Sequence, residues 1–395
     1  MTLSFFEDDM LTRFHPLTLT RPVDELRCGA FTIREKWLRY LKTELFSRAD
    51  RHPVTDYYPV NEQQNADAII HINARCLPDS SLADQISDLE VGEALTKESF
   101  VIAARSGAGR TNFRQVPDFA EFEKKETENG ILMSAVTDLF TYNGQEIIKD
   151  AQWFGSDNSA EGQISPHAVI DNRDNLIMQT GAVIEPTVVL DTSRGPVILQ
   201  EGARIMASSV VQGPAVIGPE SVVKSGTRFY KDTTLGPVCK IGGEVSNVVM
   251  QGYSNKAHDG YLGNSVIGEW CNLGADTTSS NLKNNYSFIK LRDWATRKPY
   301  DTGLQFCGVL MGDHTKTSIN AMLNTGSQFG VNCNIIAGKF PPTFLPSFSW
   351  FGVDDIYVYQ IDKALETARR VMQRRNIELT SEYERMMRQI FELRQ

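Results

Sequence analysis

The sequence has little positive charge and no long apolar run. Its 395 residues contain 40 lysines and arginines against 49 aspartates and glutamates, a formal net charge of −9. This balance argues against a nucleic-acid partner, because phosphate backbones attract basic surfaces. No apolar run approaches the length that crosses a bilayer, and the acidic residues Glu7, Asp8 and Asp9 are atypical of a signal peptide. We expect a cytoplasmic protein with neither a membrane nor a nucleic acid as partner.

Cysteine pairs with metal-binding spacing are also missing. The six cysteines are scattered without any Cys-x-x-Cys pair, at positions 28, 76, 239, 271, 307 and 333. Thiols spread so thinly over a long chain are typical of buried free cysteines in a reducing compartment. The histidines and cysteines lack the spacing of zinc or iron ligands, so we expect no site for these metals.

What the sequence does contain is an apolar residue at every sixth position. The series is Leu199, Ile205, Val211, Ile217, Val223, Phe229, Leu235 and Ile241, resuming at Tyr261, Ile267 and Leu273 and again at Leu323, Phe329 and Ile335. Helices repeat near every 3.6 positions and strands at every second, so neither explains a period of six. Three six-residue segments per triangular turn do, because each aliphatic side chain then stacks inside a prism. The repeat predicts a left-handed parallel β-helix.

Sequence texture divides the chain into three regions. We predict an α/β domain over residues 1–155, the β-helix of hexapeptide repeats over 160–345, and an amphipathic C-terminal α-helix over 354–395. Within the first region, Thr32–Leu45 is a predicted helix and Ala68–Ile72 a predicted strand, while Glu121–Asn129 is charged and expected to be exposed.

Two further segments interrupt and close the repeat region. Residues Ser287–Leu304 are polar and aromatic, which indicates a loop projecting from one corner of the coil, and a proline cluster at 341–346 is predicted to end the coil. The C-terminal helix is expected to cap the solenoid. Its arginines, at positions 369, 370, 374 and 375, are interpreted as a solvated face that pairs with acidic neighbours such as Glu366 and Glu378.

A conspicuous motif lies in the middle of the repeats. Residues 254–263 read Ser-Asn-Lys-Ala-His-Asp-Gly-Tyr-Leu-Gly and are followed by Ile267-Gly268 and by Asn272-Leu273-Gly274-Ala275. The segment resembles the acetyltransferase domain of the bifunctional family that makes UDP-N-acetylglucosamine, where the stretch reads S-K-A-G-H-L-T-Y-L-G, then I-G and N-I-G-A-G-T.

This resemblance implies a set of site residues. The catalytic base falls on His258, substrate-binding side chains on Tyr261, Asn272 and Asn281, and a backbone N–H near the acetyl group on Ala275. Such residues suit acetyl transfer, because an imidazole accepts a proton near neutral pH and a backbone donor stabilises the oxyanion. The resemblance also implies acetyl-CoA as co-substrate and a homotrimer.

The structural alternative is that His258 is a turn residue hydrogen-bonded to Asp259 or Asn255. His314, further along the coil, is a second candidate base that alone favours a structural role.

The N-terminus carries a second resemblance. Residues 11–18, Leu-Thr-Arg-Phe-His-Pro-Leu-Thr, and then Thr20-Arg21-Pro22 resemble the opening motif of sugar nucleotidyltransferases, G-x-G-T-R-L-x-P-L-T-x-x-x-P-K. The resemblance implies a reduced Rossmann-like nucleotidyltransferase fold for this domain. It places Arg13 where an arginine faces the nucleotide triphosphate and implies Mg²⁺ only where this site is active.

The two motifs also depart from their families. Asp8 and Asp9 occupy the loop where glycines would cradle phosphates, and Val23 replaces a lysine. After the strand Ala68–Ile72 the chain reads Asn73-Ala74-Arg75 instead of a metal-binding aspartate.

In the coil, no lysine near Ser246 and Asn247 matches the family's sugar-phosphate lysine. The insertion Ser287–Leu304 is positioned to cover or reshape the coenzyme groove.

Three functional hypotheses follow. The leading one is an enzyme of sugar-nucleotide metabolism whose coil transfers an acetyl group from acetyl-CoA to an amino sugar phosphate or nucleotide sugar. Its N-terminal domain would bind, and in an active form make, the nucleotide sugar. The second is a sugar-1-phosphate nucleotidyltransferase with the coil as a trimerisation scaffold. The third is a non-catalytic regulatory or scaffold protein that binds nucleotide sugars.

Overall fold

In a computed structural model of the protein, which describes residues 2–62, 68–107, 118–154, 162–336 and 338–394, the chain divides into two units. The first consists of Met1–Phe14, Thr20–Leu26 and Phe31–Ala135, and the second of His15–Leu19, Arg27–Ala30 and Val136–Gln395. The division after Ala135 precedes the expected domain end at 155, which lies outside the described residues. The helical segment between these points therefore belongs with the coil.

The first unit is built on a mixed β-sheet. Its strands, in spatial order, are Phe46–Arg48, Thr2–Phe6, Ala68–Asn73, Phe100–Gly107, Glu93–Lys97 and Glu123–Glu126. The first three run parallel, and Phe100–Gly107 is antiparallel to both of its neighbours. The predicted strand Ala68–Ile72 is confirmed with one further residue. The charged segment Glu121–Asn129 contains the exposed edge strand Glu123–Glu126. A small antiparallel pair joins Cys76–Leu77 to Ile131–Leu132.

Short helices flank this sheet. They are α1 (Ile33–Tyr40), α2 (Val54–Tyr57) and α3 (Ser80–Ser87), with 3-10 turns at Asp9–Phe14 and Val23–Glu25. Thr32 starts α1 with a capping box, because its side chain accepts from the Glu35 N–H and the Glu35 carboxylate accepts from the Thr32 N–H. Helix α1 ends before the predicted limit at Leu45, at Tyr40.

The second unit is a coil with three faces of short parallel strands. The first face contains Gln163–Ile164, Val183–Ile184, Arg204–Ile205, Val222–Val223, Lys240–Ile241, Asn255–Lys256, Lys316–Thr317, Asn334–Ile335 and Ser349–Phe351. The second contains Val169–Ile170, Val189–Asp191, Val210–Gln212, Arg228–Phe229, Thr278–Ser279 and Met322–Leu323. The third contains Leu176–Met178, Val197–Leu199, Ala215–Ile217, Thr233–Leu235, Val309–Met311, Ser327–Phe329 and Phe344–Leu345. Two longer strands, Glu244–Gly252 and Tyr261–Glu269, pair side by side from the second face to the third.

The hexad residues form the core of this coil. All eight residues of the unbroken series from Leu199 to Ile241 have no exposed surface. Ile205, Val223 and Ile241 are stacked in register, one coil apart. The predicted fold class is confirmed: an α/β unit, a parallel β-helix and a helical C-terminal segment.

One predicted hexad position is wrong. Tyr261 is only partly buried, and its neighbour Leu262 points into the core instead. The cause is a change in coil length. Val245 pairs with Leu262 and Ile241 with Lys256, so the spacing departs from the regular repeat seen between Ile205 and Val223.

The interruption and the end of the coil differ in detail from expectation. Within Ser287–Leu304, strands Lys290–Arg292 and Pro299–Asp301 pair as an antiparallel hairpin, so the projecting segment has its own structure. The proline cluster does not end the coil. Leu345 pairs with Phe329 and Phe351 with Ile335, so a further turn is built after the prolines, and strand Ile356–Val358 pairs with the last one.

Helices cover parts of the second unit. They are α4 (Asp138–Thr141), α5 (Asn143–Asp150), α6 (Ile361–Gln373) and α7 (Ser381–Glu392), so the single predicted C-terminal helix is in fact two. A turn at Arg374–Asn376 separates them, closed by an Asn376 residue with a φ of 56°. All six cysteines are buried and free, as expected. Across the described ranges, no helix is long and apolar enough to span a membrane.

Candidate active site

His258 lies in an exposed turn that a buried lysine holds in place. The turn follows the strand Asn255–Lys256. The Lys256 ammonium donates hydrogen bonds to the backbone oxygens of Gly242 at 2.9 Å, His258 at 2.9 Å and Asp259 at 3.2 Å. Burial lowers the pKa of Lys256 to about 8, although the nearby Asp259 charge acts in the opposite direction. Lys256 thus fixes the backbone that carries the candidate base.

A glycine closes the same turn. Gly260 has a φ of +108°, and a Cβ at this position would collide with the Thr277 carbonyl of the next coil. The turn therefore requires glycine where the resembling family has threonine. Among the described hydrogen bonds, none involves the His258 ring, so the alternative in which Asp259 or Asn255 holds that ring is not observed.

His258 opens onto a cavity of about 560 Å³. Three of the predicted site residues line it together: His258, Asn272 and Ala275. Asn272 bridges the first face between Asn255 and Lys316, which brings three successive coils to the cavity wall. The opposite wall is the C-terminal end of α6 and the turn after it, and consists of Val371, Arg374 and Arg375. No residue of the insertion Ser287–Leu304 is among those that line the cavity, so α6 covers this groove.

Several polar atoms at the cavity lack partners. Asn255 Oδ1 and Arg375 Nε are both buried without a hydrogen-bond partner in the described part of the chain. The Ala275 N–H also takes part in no described backbone hydrogen bond, whereas the Ala275 carbonyl accepts from the Asn320 N–H at 2.8 Å. Since buried polar groups are normally satisfied, an unused acceptor and unused donors beside a cavity are typical of a ligand site.

Aromatic rings form one side of this site. Tyr253 and Trp270 stack at a centroid distance of 4.3 Å and an interplanar angle of 11°. Trp270 in turn lies over His314 at 6.1 Å. His314 is fully buried, and its Nε2 is 2.9 Å from the Tyr383 hydroxyl on α7. The second candidate base is therefore a packing residue that anchors α7.

The other two predicted site residues of the coil form a separate cluster. Asn281 Nδ2 donates to the Tyr261 hydroxyl at 3.0 Å and to Asn264 Oδ1 at 2.7 Å. Burial raises the pKa of the Tyr261 hydroxyl, against the effect of the Asn281 hydrogen bond. Neither Tyr261 nor Asn281 lines the His258 cavity. The structure thus brings the six predicted residues together only in part.

Sequence reasoning missed five residues that line the cavity: Lys240, Trp270, Lys316, Arg374 and Arg375. Burial lowers the pKa of Lys316 to about 8, and its ammonium donates to the His314 carbonyl at 2.7 Å. The two arginines were predicted to belong to a solvated face. The apolar periodicity of α6 shows which face of the helix is buried, but it does not show that the end of this helix packs beside coil residues far away in sequence.

In the first unit, the loop expected to bind phosphates is filled by an ion pair. Asp8 follows the strand Thr2–Phe6, Asn73 ends the adjacent parallel strand and Arg75 follows it, so their side chains meet at one sheet edge. Asp8 Oδ2 accepts from Arg75 Nε and from Asn73 Nδ2, both at 2.8 Å. Arg75 also donates to the Met133 carbonyl at 2.7 Å.

This arrangement does not suit a magnesium ion or a triphosphate. The space between Asp8, Asn73 and Arg75 admits no water molecule. The guanidinium group already neutralises the carboxylate that a metal would need. Over the described residues, no group of three or more His, Cys, Asp or Glu side chains is arranged to hold a metal ion. Arg13 lies nearby in sequence, half-buried in the 3-10 turn Asp9–Phe14.

Comparison with known proteins identifies the N-terminal part. The sequence profile of the family described as "Sugar nucleotidyl transferase" matches residues 3–159. Over these residues the chain is similar to the sugar nucleotidyl transferase family. The resemblance to the bifunctional nucleotidyltransferase/acetyltransferase proteins is confirmed as well, since several of them are similar to parts of this chain.

Three such relatives illustrate the similarity. The bifunctional protein GlmU of Trichormus variabilis is 25% identical over 282 residues, covering 68% of this chain and 56% of its own length. GlmU of Methanocaldococcus jannaschii is 33% identical over 38% of this chain and 36% of its own. The bifunctional sugar-1-phosphate nucleotidylyltransferase/acetyltransferase of Sulfurisphaera tokodaii is 31% identical over 42% and 41%. The chain thus spans roughly a third to a little over half of these relatives.

The comparison with solved structures finds a weak similarity. UDP-N-acetylglucosamine O-acyltransferase (LpxA) from Moraxella catarrhalis covers 57% of this chain and 96% of its own, at 12% identity and a TM-score of 0.24. Within the sugar nucleotidyl transferase segment, the departures noted in the sequence correspond to the Asp8–Arg75 pair. Residues 3–159 match the family's sequence profile, but the loop that contains Asp8 is occupied by protein side chains.

Proposed function

We propose that this chain is a transferase of sugar-nucleotide metabolism. In this proposal the coil moves an acetyl group from acetyl-CoA to the amino group of an amino sugar phosphate or nucleotide sugar. The observation that carries it is the shared cavity of His258, Asn272 and Ala275, with an exposed imidazole and an unused N–H donor. The acetyltransferase names of the relatives support it.

The proposed reaction assigns one step to each group. The acceptor nitrogen attacks the thioester carbonyl carbon, and His258 takes the proton that this nitrogen loses. The Ala275 N–H donates to the developing oxyanion. The C–S bond then breaks, and the coenzyme thiolate leaves and takes up a proton. Asn272 lines the same cavity and orients the substrate, whereas Tyr261 and Asn281 would contact it from their separate cluster.

The test is acetyl transfer by the purified full chain, followed through release of the free coenzyme thiol. The acceptors are a panel of amino sugar 1-phosphates and nucleotide-linked amino sugars. We expect His258→Ala to lower the rate by about 10²- to 10⁴-fold. The matched control is His167→Ala, a second exposed coil histidine, which should leave the rate unchanged. Thiol release that does not depend on His258 would contradict the proposal.

Nucleotidyl transfer by the first unit is a second candidate, favoured by the family profile over residues 3–159. The Asp8–Arg75 pair opposes it, because it occupies the loop that would hold the triphosphate. We therefore propose that the first unit has lost this turnover. Pyrophosphate release from a nucleoside triphosphate, a sugar 1-phosphate and Mg²⁺ that depends on Arg13 would reverse this assignment.

The assembly and location also belong to the proposal. A homotrimer is proposed from the resemblance to the hexapeptide acetyltransferases, and the alternative of a coil that serves only as scaffold rests on the same assembly. The six buried free thiols support a reducing compartment, the cytoplasm.

A further inference from the structure

The side chains around the His258 cavity that carry or can carry a positive charge are not balanced by acidic side chains. Lys240, His258, Lys316, Arg374 and Arg375 line it, and no aspartate or glutamate does so among the described residues. The chain as a whole is acidic, with a net charge of −9, so this concentration runs against its composition. Cations gathered in a concave, partly buried site repel one another unless an anion joins them.

The arginines of the C-terminal segment differ in whether a carboxylate neutralises them. Arg369 pairs with Glu384 at 3.3 Å, Arg370 pairs with Glu366, and Arg388 pairs with Glu384 at 2.7 Å. In the described part of the chain, neither Arg374 nor Arg375 has a carboxylate partner. These two are also the arginines that face the cavity. The paired arginines confirm the predicted salt bridge to Glu366, whereas the unpaired ones require another explanation.

The turn that carries Arg374 and Arg375 is held firmly. The Arg375 N–H donates to the Met372 carbonyl at 2.8 Å, and the Ile377 N–H donates to the same carbonyl at 3.2 Å. Met372 is fully buried. The Arg375 Nε atom is buried without a partner, so its N–H is available at the cavity wall. The backbone that carries both guanidinium groups is therefore in place before a ligand binds, which lowers the ordering cost of binding.

Lys316 contributes from the opposite wall. Its ammonium donates one hydrogen bond to the His314 carbonyl, and burial lowers the pKa of Lys316 to about 8. A buried ammonium without a carboxylate is stabilised by an anion more than an exposed one is. The coil and the C-terminal helices therefore present cations to the same space from two sides.

We propose that the C-terminal helix pair completes the ligand site, and that Arg374 and Arg375, together with Lys240 and Lys316, hold a phosphate group in the His258 cavity. The assignment of this cavity to acetyl transfer rests on the proposed function, but the phosphate site itself does not. Two sources of phosphate fit that function: the phosphates of the coenzyme and the phosphate of the sugar acceptor. Guanidinium groups suit either, because they bind phosphate oxygens in pairs.

The experiment measures equilibrium binding by calorimetry with the full chain. The probes are coenzyme A, the same coenzyme without its 3′-phosphate, an amino sugar 1-phosphate and inorganic pyrophosphate. The test variant is Arg374→Gln with Arg375→Gln. The control is Arg369→Gln with Arg370→Gln, which removes the same charge from the preceding turn of α6, at residues that pair with carboxylates elsewhere. Equal thermal midpoints of the two variants establish that both fold.

We expect the test variant to bind its phosphate probe about 10- to 100-fold more weakly, and the control to bind as the unaltered chain does. A loss confined to the complete coenzyme identifies the 3′-phosphate, and a loss with the sugar phosphate identifies the acceptor. The proposal is overturned by equal weakening of both variants, by unchanged binding of the test variant, or by no binding of any probe to the unaltered chain. Arginine-dependent binding without acetyl transfer would retain the phosphate site and overturn the proposed function.

Discussion

Three backbone carbonyls around one ammonium group shape the turn that carries His258. Lys256 is almost fully buried, and its donors reach the oxygens of Gly242, His258 and Asp259. The side chain thus links one coil to the next and sets the direction of the candidate base without touching the cavity. It is a positioning residue, and its role is separable from that of His258.

Replacing Lys256 by methionine tests this role. The apolar stem remains, but the buried carbonyls lose their donor, so we expect a loss of about 1–3 kcal/mol in the free energy of unfolding. Acetyl transfer should fall mainly in kcat, with little change in KM for the coenzyme, because the base is displaced while the phosphate anchors stay. Lys224→Met, on the same face in an earlier coil, is the control. A fall in stability without any change in kcat would leave Lys256 with a purely structural role.

The site residues predicted from sequence share one property: their positions follow from the coil repeat. His258, Asn272 and Ala275 fall on neighbouring coils at related offsets, and a repeating backbone converts such offsets directly into proximity. Tyr261 was misplaced by one position because the coil shortens there, and no hexad count reveals a change in length. Arg374 could not be assigned, since its position depends on packing between segments far apart in sequence.

At the scale of elements, the sequence predicted the coil itself because one periodicity specifies it. It predicted the C-terminal helices less well. The sequence showed the apolar face of these helices. It did not show the turn that separates them or their contact with the coil. In the structure, α7 lies along one corner of the coil, where residues of successive turns adopt the same positive φ. The contacts join Tyr383 to His314, Met387 to Asn332 and Phe391 to Phe348.

The spacing of these contacts explains the docking. Four residues advance a helix by about 6 Å, and neighbouring strands lie about 4.8 Å apart, so an inclined helix matches one side chain to each coil. Met387→Ala removes the central, fully buried contact. We expect it to cost about 2–5 kcal/mol and to loosen α6 and α7 together. Hydrogen exchange in residues 361–392 should then rise while exchange in the coil stays slow.

Met322→Ala is the matched control, because this coil methionine is 39% exposed and should affect neither region. If the turn between α6 and α7 supplies the phosphate anchors, Met387→Ala should also weaken coenzyme binding, although Met387 does not line the cavity. Unchanged exchange in residues 361–392 would show that the contacts with Asn332 and Phe348 do not hold the helices in place.

The molecule combines a first unit in which the Asp8–Arg75 pair fills the loop after the strand Thr2–Phe6 with a coil whose cavity is open. The filled loop and the open cavity predict that the two units respond differently to ligands. Only a unit that binds a ligand is stabilised by it, by about 2.7 kcal/mol when the ligand is present at 100 times its Kd. Hydrogen exchange of the full chain can therefore locate binding in one unit or the other.

We expect coenzyme A to slow exchange in residues 253–275 and 371–375 and to leave the sheet of the first unit unchanged. A nucleoside triphosphate with Mg²⁺ should not protect the first unit, because Arg75 already occupies the place of the cation beside Asp8. His258→Ala is the control, since it removes the base but none of the phosphate anchors, and it should keep the coenzyme-dependent protection. Protection of residues 2–14 and 68–77 by the nucleotide would instead assign binding to the first unit. The coil would then serve as its scaffold.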